Sequence, residues 1–118
     1  MKELFTQSLR SDLASSRAVA TVTVNDAESA KPLAEALLAG GIRCLEITLR
    51  TPAALDAMRR VSESFPEVQV MAGTVITPEQ IKQVQDVGAI CAVAPGMNRR
   101  VLETALDAKL PFAPGVTT

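Results

Sequence analysis

One carboxylate stands inside an otherwise apolar run of the sequence, Arg43-Cys-Leu-Glu-Ile-Thr-Leu49. If that run is a β-strand, successive side chains point to opposite faces. Glu46, Thr48 and Arg50 then share one face, and Leu45, Ile47 and Leu49 share the other. A carboxylate on a buried strand face is costly unless it is paired or put to use. Burial of a carboxyl favours its neutral form, which suits it to carrying a proton near neutral pH. Two roles for Glu46 follow: a general acid–base, or half of a structural ion pair with Arg50 or Arg43. Arg50 offers a planar guanidinium that can grip a carboxylate or phosphate through two hydrogen bonds, or it is a plain surface arginine. Gly73-Thr74 follows another apolar run. Glycine there lets the backbone approach a ligand and threonine brings a hydroxyl, although an ordinary turn uses the same residues. Pro95-Gly96 and Pro114-Gly115 are turn chemistry first and site lining second.

Other chemistries find less support in the residues. The sequence has no histidine, so the commonest general base and the commonest metal ligand are both missing. Acid–base work falls to carboxylates, lysine or water. Lys2, Lys31, Lys82 and Lys109 sit at helix positions or helix ends, none inside a strand where desolvation could ready an amine for imine formation. Cys44 and Cys91 each lie in an apolar run and read as small buried hydrophobes. The net charge is −1 over 118 residues, and Arg59-Arg60 and Arg99-Arg100 read as solvated helix faces. That balance points away from nucleic acid and from an anionic membrane surface. No apolar run approaches the ~20 residues of a membrane span. Residues 1–13 do not read as a signal peptide, so a reducing cytoplasmic location is expected.

The elements that must position these residues alternate along the chain. A helix is expected over about 1–16, carrying Leu4, Phe5, Leu9 and Leu13. Strands are expected over 18–24, 43–49, 68–72, 90–94 and 110–113. Between them, Asn25-Asp26 caps a helix running to Leu38, with Gly40-Gly41 as its stop. Thr51-Pro52 and Thr77-Pro78 each read as a cap followed by proline at the first helical position, and Gly88 closes the second of these helices. Asn98 opens a helix with Val101, Leu102, Ala105 and Leu106.

This alternation means βαβ units around a parallel sheet whose strands are apolar on both faces. No G-x-G-x-x-G follows the first strand, which favours a (β/α)8 TIM-type barrel over a dinucleotide-binding sheet. A full barrel takes about 250 residues. Residues 1–118 hold four units and the start of a fifth, so they are expected to be the N-terminal part of one barrel domain, truncated rather than self-sufficient. An open half-barrel leaves two strand edges and apolar surface to be covered. In such barrels the chemistry sits at the carboxyl ends of the strands, where Glu46, Thr48, Arg50, Gly73, Thr74, Pro95 and Gly96 all fall.

The segments Ala39-Gly-Gly-Ile-Arg-Cys-Leu-Glu-Ile-Thr-Leu-Arg-Thr51, Ala72-Gly-Thr-Val75, Ala94-Pro-Gly96 and Pro114-Gly-Val-Thr117 occur in that order. Together they resemble the 2-keto-3-deoxy-6-phosphogluconate (KDPG) and 4-hydroxy-2-oxoglutarate (KHG) aldolases, from about Ala18 onward. The resemblance implies a class I aldolase without cofactor or metal, usually a homotrimer. Such an enzyme cleaves a keto-deoxy acid to pyruvate and either glyceraldehyde 3-phosphate or glyoxylate. It implies that Glu46 is the general acid–base, that Arg50 and Thr74 hold the pyruvate carboxylate, and that Pro95 lines the pocket, with Thr48, Gly73 and Gly96 beside it. The family's Schiff-base lysine, on the sixth strand, would lie beyond Thr118. So would its glycine-rich phosphate loops. Thr21 stands where family members often carry proline. Two rival readings are a non-catalytic remnant or associating half-barrel scaffold, and a different phosphate-ligand barrel enzyme.

Overall fold

The computed structural model describes residues 4–117. The five apolar runs become strands β1 (Val19–Val22), β2 (Cys44–Thr48), β3 (Gln69–Gly73), β4 (Cys91–Val93) and β5 (Phe112–Ala113). They form one sheet in the order β1-β2-β3-β4-β5, and every neighbouring pair is parallel. Sequential order without reversal is the barrel topology; a doubly wound sheet reverses its order partway. The chain is an open segment of a TIM-type barrel.

Strand alternation decides what each face meets. Leu45, Ile47, Val70, Ala72, Ala92 and Phe112 point outward into the main core. There they meet α2 (Ala30–Ala39), α3 (Ala54–Ser64), α4 (Pro78–Asp86) and α5 (Arg99–Asp107), through Ala34, Met58, Val61, Ile81, Val84 and Val101 among others. The intervening inner positions are Cys44, Glu46 and Thr48 on β2, Met71 and Gly73 on β3, and Cys91 and Val93 on β4. Helix α1 (Gln7–Ser16) closes the inner face at the amino ends of the strands, where Leu9 and Leu13 pack on Cys44, Met71 and Cys91. Polar ties fix it there: Arg43 donates to Ser15 Oγ at 3.0 Å, and Gln69 donates to Asp12 at 3.4 Å. The inner face thus has a plugged bottom and an open top. Among the described residues, no helix is long and apolar enough to cross a membrane.

Three expectations need correction. Helix α1 begins at Gln7, not Met1, because the Thr6 hydroxyl accepts from the Leu9 N–H and fixes the start there. Residues 1–3 lie outside the described residues. The helix expected after Asn25-Asp26 is split. Asp26 caps a short 3-10 turn (Ala27–Ser29), and α2 starts after it, with Pro32 in a first turn that needs no N–H partner. Thr51 does not cap α3. Its hydroxyl is taken by the Val24 carbonyl, so the chain makes a further turn and the helix starts at Ala54 without a side-chain cap. By contrast, Thr77-Pro78 opens α4 as expected, and Gln80 completes a capping box with Thr77. Arg59 and Arg60 pair with Asp56 along α3, and Arg99 pairs with Glu103 along α5, which are solvated helix faces.

Candidate active site

Glu46 projects from the middle of β2 onto the inner face, above the plugged bottom and below the open top. It is half-buried, whereas Leu45 and Ile47 on either side are buried in the helix-facing core. Thr21, its register partner on β1, donates from Oγ1 to Glu46 Oε2 at 3.4 Å. On the other side the carboxylate lies over the bare Cα of Gly73. Thr48, one turn of the pleat further up, is buried and shares a hydrogen bond with Thr23 at 3.0 Å, tying the tops of β1 and β2 together.

The sequence left open an ion pair between Glu46 and Arg50 or Arg43. Among the described residues, the ion pairs join Asp56 to Arg59 and Arg60, Lys82 to Asp86, and Arg99 to Glu103. None includes Glu46. Arg43, at the opposite end of the strand, turns down to Ser15. Arg50 is exposed at the top and makes neither an ion pair nor a hydrogen bond with the described residues. Its guanidinium is therefore available to an anion.

A cleft of about 220 Å³ opens at the carboxyl ends of β1 to β4, lined by Thr21, Glu46, Thr48, Arg50, Thr74, Val93, Ala94 and Pro95. Pockets for drug-sized ligands run to about 300–1,000 Å³, so this one suits a small acid. Thr74 sits at its rim with φ 58°, in the left-handed region that a β-branched residue adopts only at a cost of ~1–2 kcal/mol. The turn it makes lets Val75 N–H reach the Val93 carbonyl at 3.1 Å. Strain held at the rim of a cleft is a common mark of a functional position.

Six expected residues therefore converge: Glu46, Thr48, Arg50, Thr74 and Pro95 line the cleft, and Gly73 lies buried beneath the carboxylate. Gly96 does not line it. It borders two neighbouring hollows, one with Val75, Met97 and Phe112, the other with Met97, Gly115 and Val116. Thr21, Val93 and Ala94 line the cleft without having been singled out as site residues. Their signal was the strand register itself, which alternation within one strand does not supply. No described lysine lines the cleft. Lys31 is exposed on α2, Lys82 pairs with Asp86 at 3.4 Å on α4, and Lys109 is exposed after α5. Lys2 lies outside the described residues.

Cys44 and Cys91 form the floor below the cleft with Met71, both fully buried and unbridged. Burial pushes the Cys91 thiol up from 9.0 to about 12, with Cys44 and Glu46 nearby adding to the rise. The thiolate is the reactive form, so burial leaves Cys91 poorly reactive at pH 8. Cys91 in the folded chain should therefore resist a thiol reagent at pH 8 and react at once in denaturant. Fast labelling of the native chain would contradict its place in the floor.

Comparison with known proteins agrees with this geometry. The family model of KDPG and KHG aldolases matches residues 9–118. The KHG/KDPG aldolase of Escherichia coli K12 is 41% identical over 111 residues, covering 94% of this chain and 52% of that protein. The KDPG aldolase of Legionella pneumophila, solved with pyruvate captured at low pH as a covalent carbinolamine intermediate, superposes with a TM-score of 0.85 at 42% identity. That match covers 91% of this chain and 52% of the other. The KDPG aldolase of Zymomonas mobilis ZM4, solved with 3-phosphoglycerate, gives 0.85 at 36% identity, covering 92% and 52%. The chain spans about half the length of the relatives it matches. With the match running through all five strands and the cleft they carry, the chain belongs to the KDPG and KHG aldolase family.

Proposed function

We propose that this chain supplies the acid–base half of a class I aldolase site that releases pyruvate from a 2-keto acid. The substrate would be KDPG, KHG or both, and the second product glyceraldehyde 3-phosphate or glyoxylate. The observation that carries the reading is the Glu46 carboxylate, which makes no ion pair among the described residues, in a small cleft whose rim holds Arg50 and Thr74. Family membership supplies the reaction class. Arg50 and the Thr74 hydroxyl would hold the keto-acid carboxylate. A lysine from the segment after Thr118 would attack the C2 carbonyl, and water would leave to form an iminium. Glu46 would move the protons that carbinolamine breakdown requires. It would also take the C4 hydroxyl proton as the C3–C4 bond breaks, with the electron pair passing to the iminium nitrogen. The resulting enamine would accept a proton at C3, and hydrolysis would free pyruvate and the lysine. The homotrimer is an expectation from family membership, and the cytoplasmic setting is one from the composition of residues 1–13.

The test uses the lysine-bearing protein, translated through the codons that follow Thr118. Mixed with pyruvate and borohydride, it should gain a covalent pyruvate adduct on a lysine carried by an apolar strand. A folded protein that gains none overturns the imine mechanism. A stop codon directly after Thr118, with no lysine-bearing partner, favours the scaffold reading.

A further inference from the structure

A glutamate side chain has several rotatable bonds, and nothing in β2 fixes where the Glu46 carboxylate points. The two flanking strands do. On β1, Thr21 is the register partner of Glu46 and donates to Oε2 at 3.4 Å. On β3, the register partner is Met71, and Gly73 is the diagonal neighbour two residues nearer the mouth. Gly73 is buried, and its φ lies outside the left-handed region, so the backbone does not ask for glycine there. Space does. A Cβ at residue 73 would overlap Glu46 Oε1 and stand 3.0 Å from its Cδ and 3.1 Å from its Cγ. The carboxylate lies in the notch left by the missing side chain. Because Glu46 has no ion pair among the described residues, no opposite charge competes to hold it elsewhere.

We propose that Thr21 and Gly73 are the positioning residues of this site, holding the Glu46 carboxylate in one pose from opposite sides. This rests on the reading of Glu46 as the acid–base. Neither residue is a catalytic group: Thr21 acts through a hydrogen bond to the carboxylate, and Gly73 acts by leaving it room. Their effect on rate is through placement, and a misplacement of about 1 Å can cost ~10²-fold in turnover.

The experiment measures kcat and KM of the lysine-bearing protein with Gly73→Ala, Thr21→Val and Thr21→Ser, each alone and combined with Glu46→Gln. Gly73→Ala should lower kcat about 10²-fold with KM little changed. Thr21→Val should lower kcat roughly tenfold, about the worth of one modest hydrogen bond, and Thr21→Ser should restore it. In the Glu46→Gln background both losses should vanish, because no proton carrier is left to position. Unchanged kcat in both variants of an active protein, or losses that persist in full without Glu46, overturns the proposal. A second cycle uses thermal melting of the lysine-bearing protein and needs no turnover. Gly73→Ala should lower Tm with Glu46 present and not with Glu46→Ala; additive effects overturn the seat. An inactive wild type counts against the aldolase reading, and the melting cycle then decides this one.

Discussion

Glu46→Gln in the lysine-bearing protein should lower aldol turnover by about 10²- to 10⁴-fold, the usual contribution of a positioned acid–base. The amide keeps the size and shape of the carboxyl and loses the proton. Thr21 Oγ1 can still meet the side-chain oxygen, and the notch over Gly73 is filled as before. No ion pair is broken, because among the described residues Glu46 makes none. Melting temperature should therefore hold while kcat falls. Parallel assays of turnover and thermal melting separate the two. A structural Glu46 would give the reverse pattern, with lost stability and unchanged activity per folded molecule.

Arg50→Met should raise KM for the keto acid by about 10- to 10²-fold, with a smaller change in kcat. The figure corresponds to losing charge-assisted hydrogen bonds of ~1.5–3 kcal/mol. Methionine keeps the length of the aliphatic stem and removes the cationic fork. Arg50 is exposed at the rim and bonds to no described residue, so its removal leaves no partner stranded and should spare the fold. Its grip on a carboxylate would be partly screened by salt, so the KM gap between wild type and variant should narrow as ionic strength rises. A steady-state series in substrate and salt measures both effects. An unchanged KM would remove Arg50 from the binding role and leave Thr74 to hold the acid alone.

Much of this arrangement is legible in the sequence. Strands rich in Val, Ile and Ala alternating with capped helices fixed the class, and Thr77-Pro78 marked the start of α4 correctly because a cap is local; the box that Gln80 completes was not read from the sequence. The same dipeptide logic failed at Thr51-Pro52. There the hydroxyl is claimed by Val24 on a neighbouring segment, a contact that local spacing does not carry. Glu46 was legible because a charge inside an apolar strand is conspicuous, and alternation gave its face. What it met on that face was not legible. Whether it paired with Arg43 or Arg50 depended on where those side chains turned, and they turned away or outward. The roles of Thr21 and Gly73 depend on register with β1 and β3, strands whose partners lie 25 residues away along the chain. Glycine at 73 read as room for a ligand or as an ordinary turn, whereas the space it leaves is taken by a side chain on the neighbouring strand and its own backbone does not ask for glycine. Gly96 was placed beside the pocket by the family resemblance, and it borders the hollow that shares Pro95 with the cleft.

The central claim is that Glu46 moves protons on a pyruvate-derived imine. Exchange of the pyruvate methyl protons in D₂O tests it without any aldehyde partner, because enamine formation removes one of those protons. Followed by proton NMR, the methyl signal of pyruvate should disappear with the wild-type lysine-bearing protein and persist with Glu46→Gln at the same concentration of folded protein. A methyl signal lost at the wild-type rate with Glu46→Gln would contradict the claim.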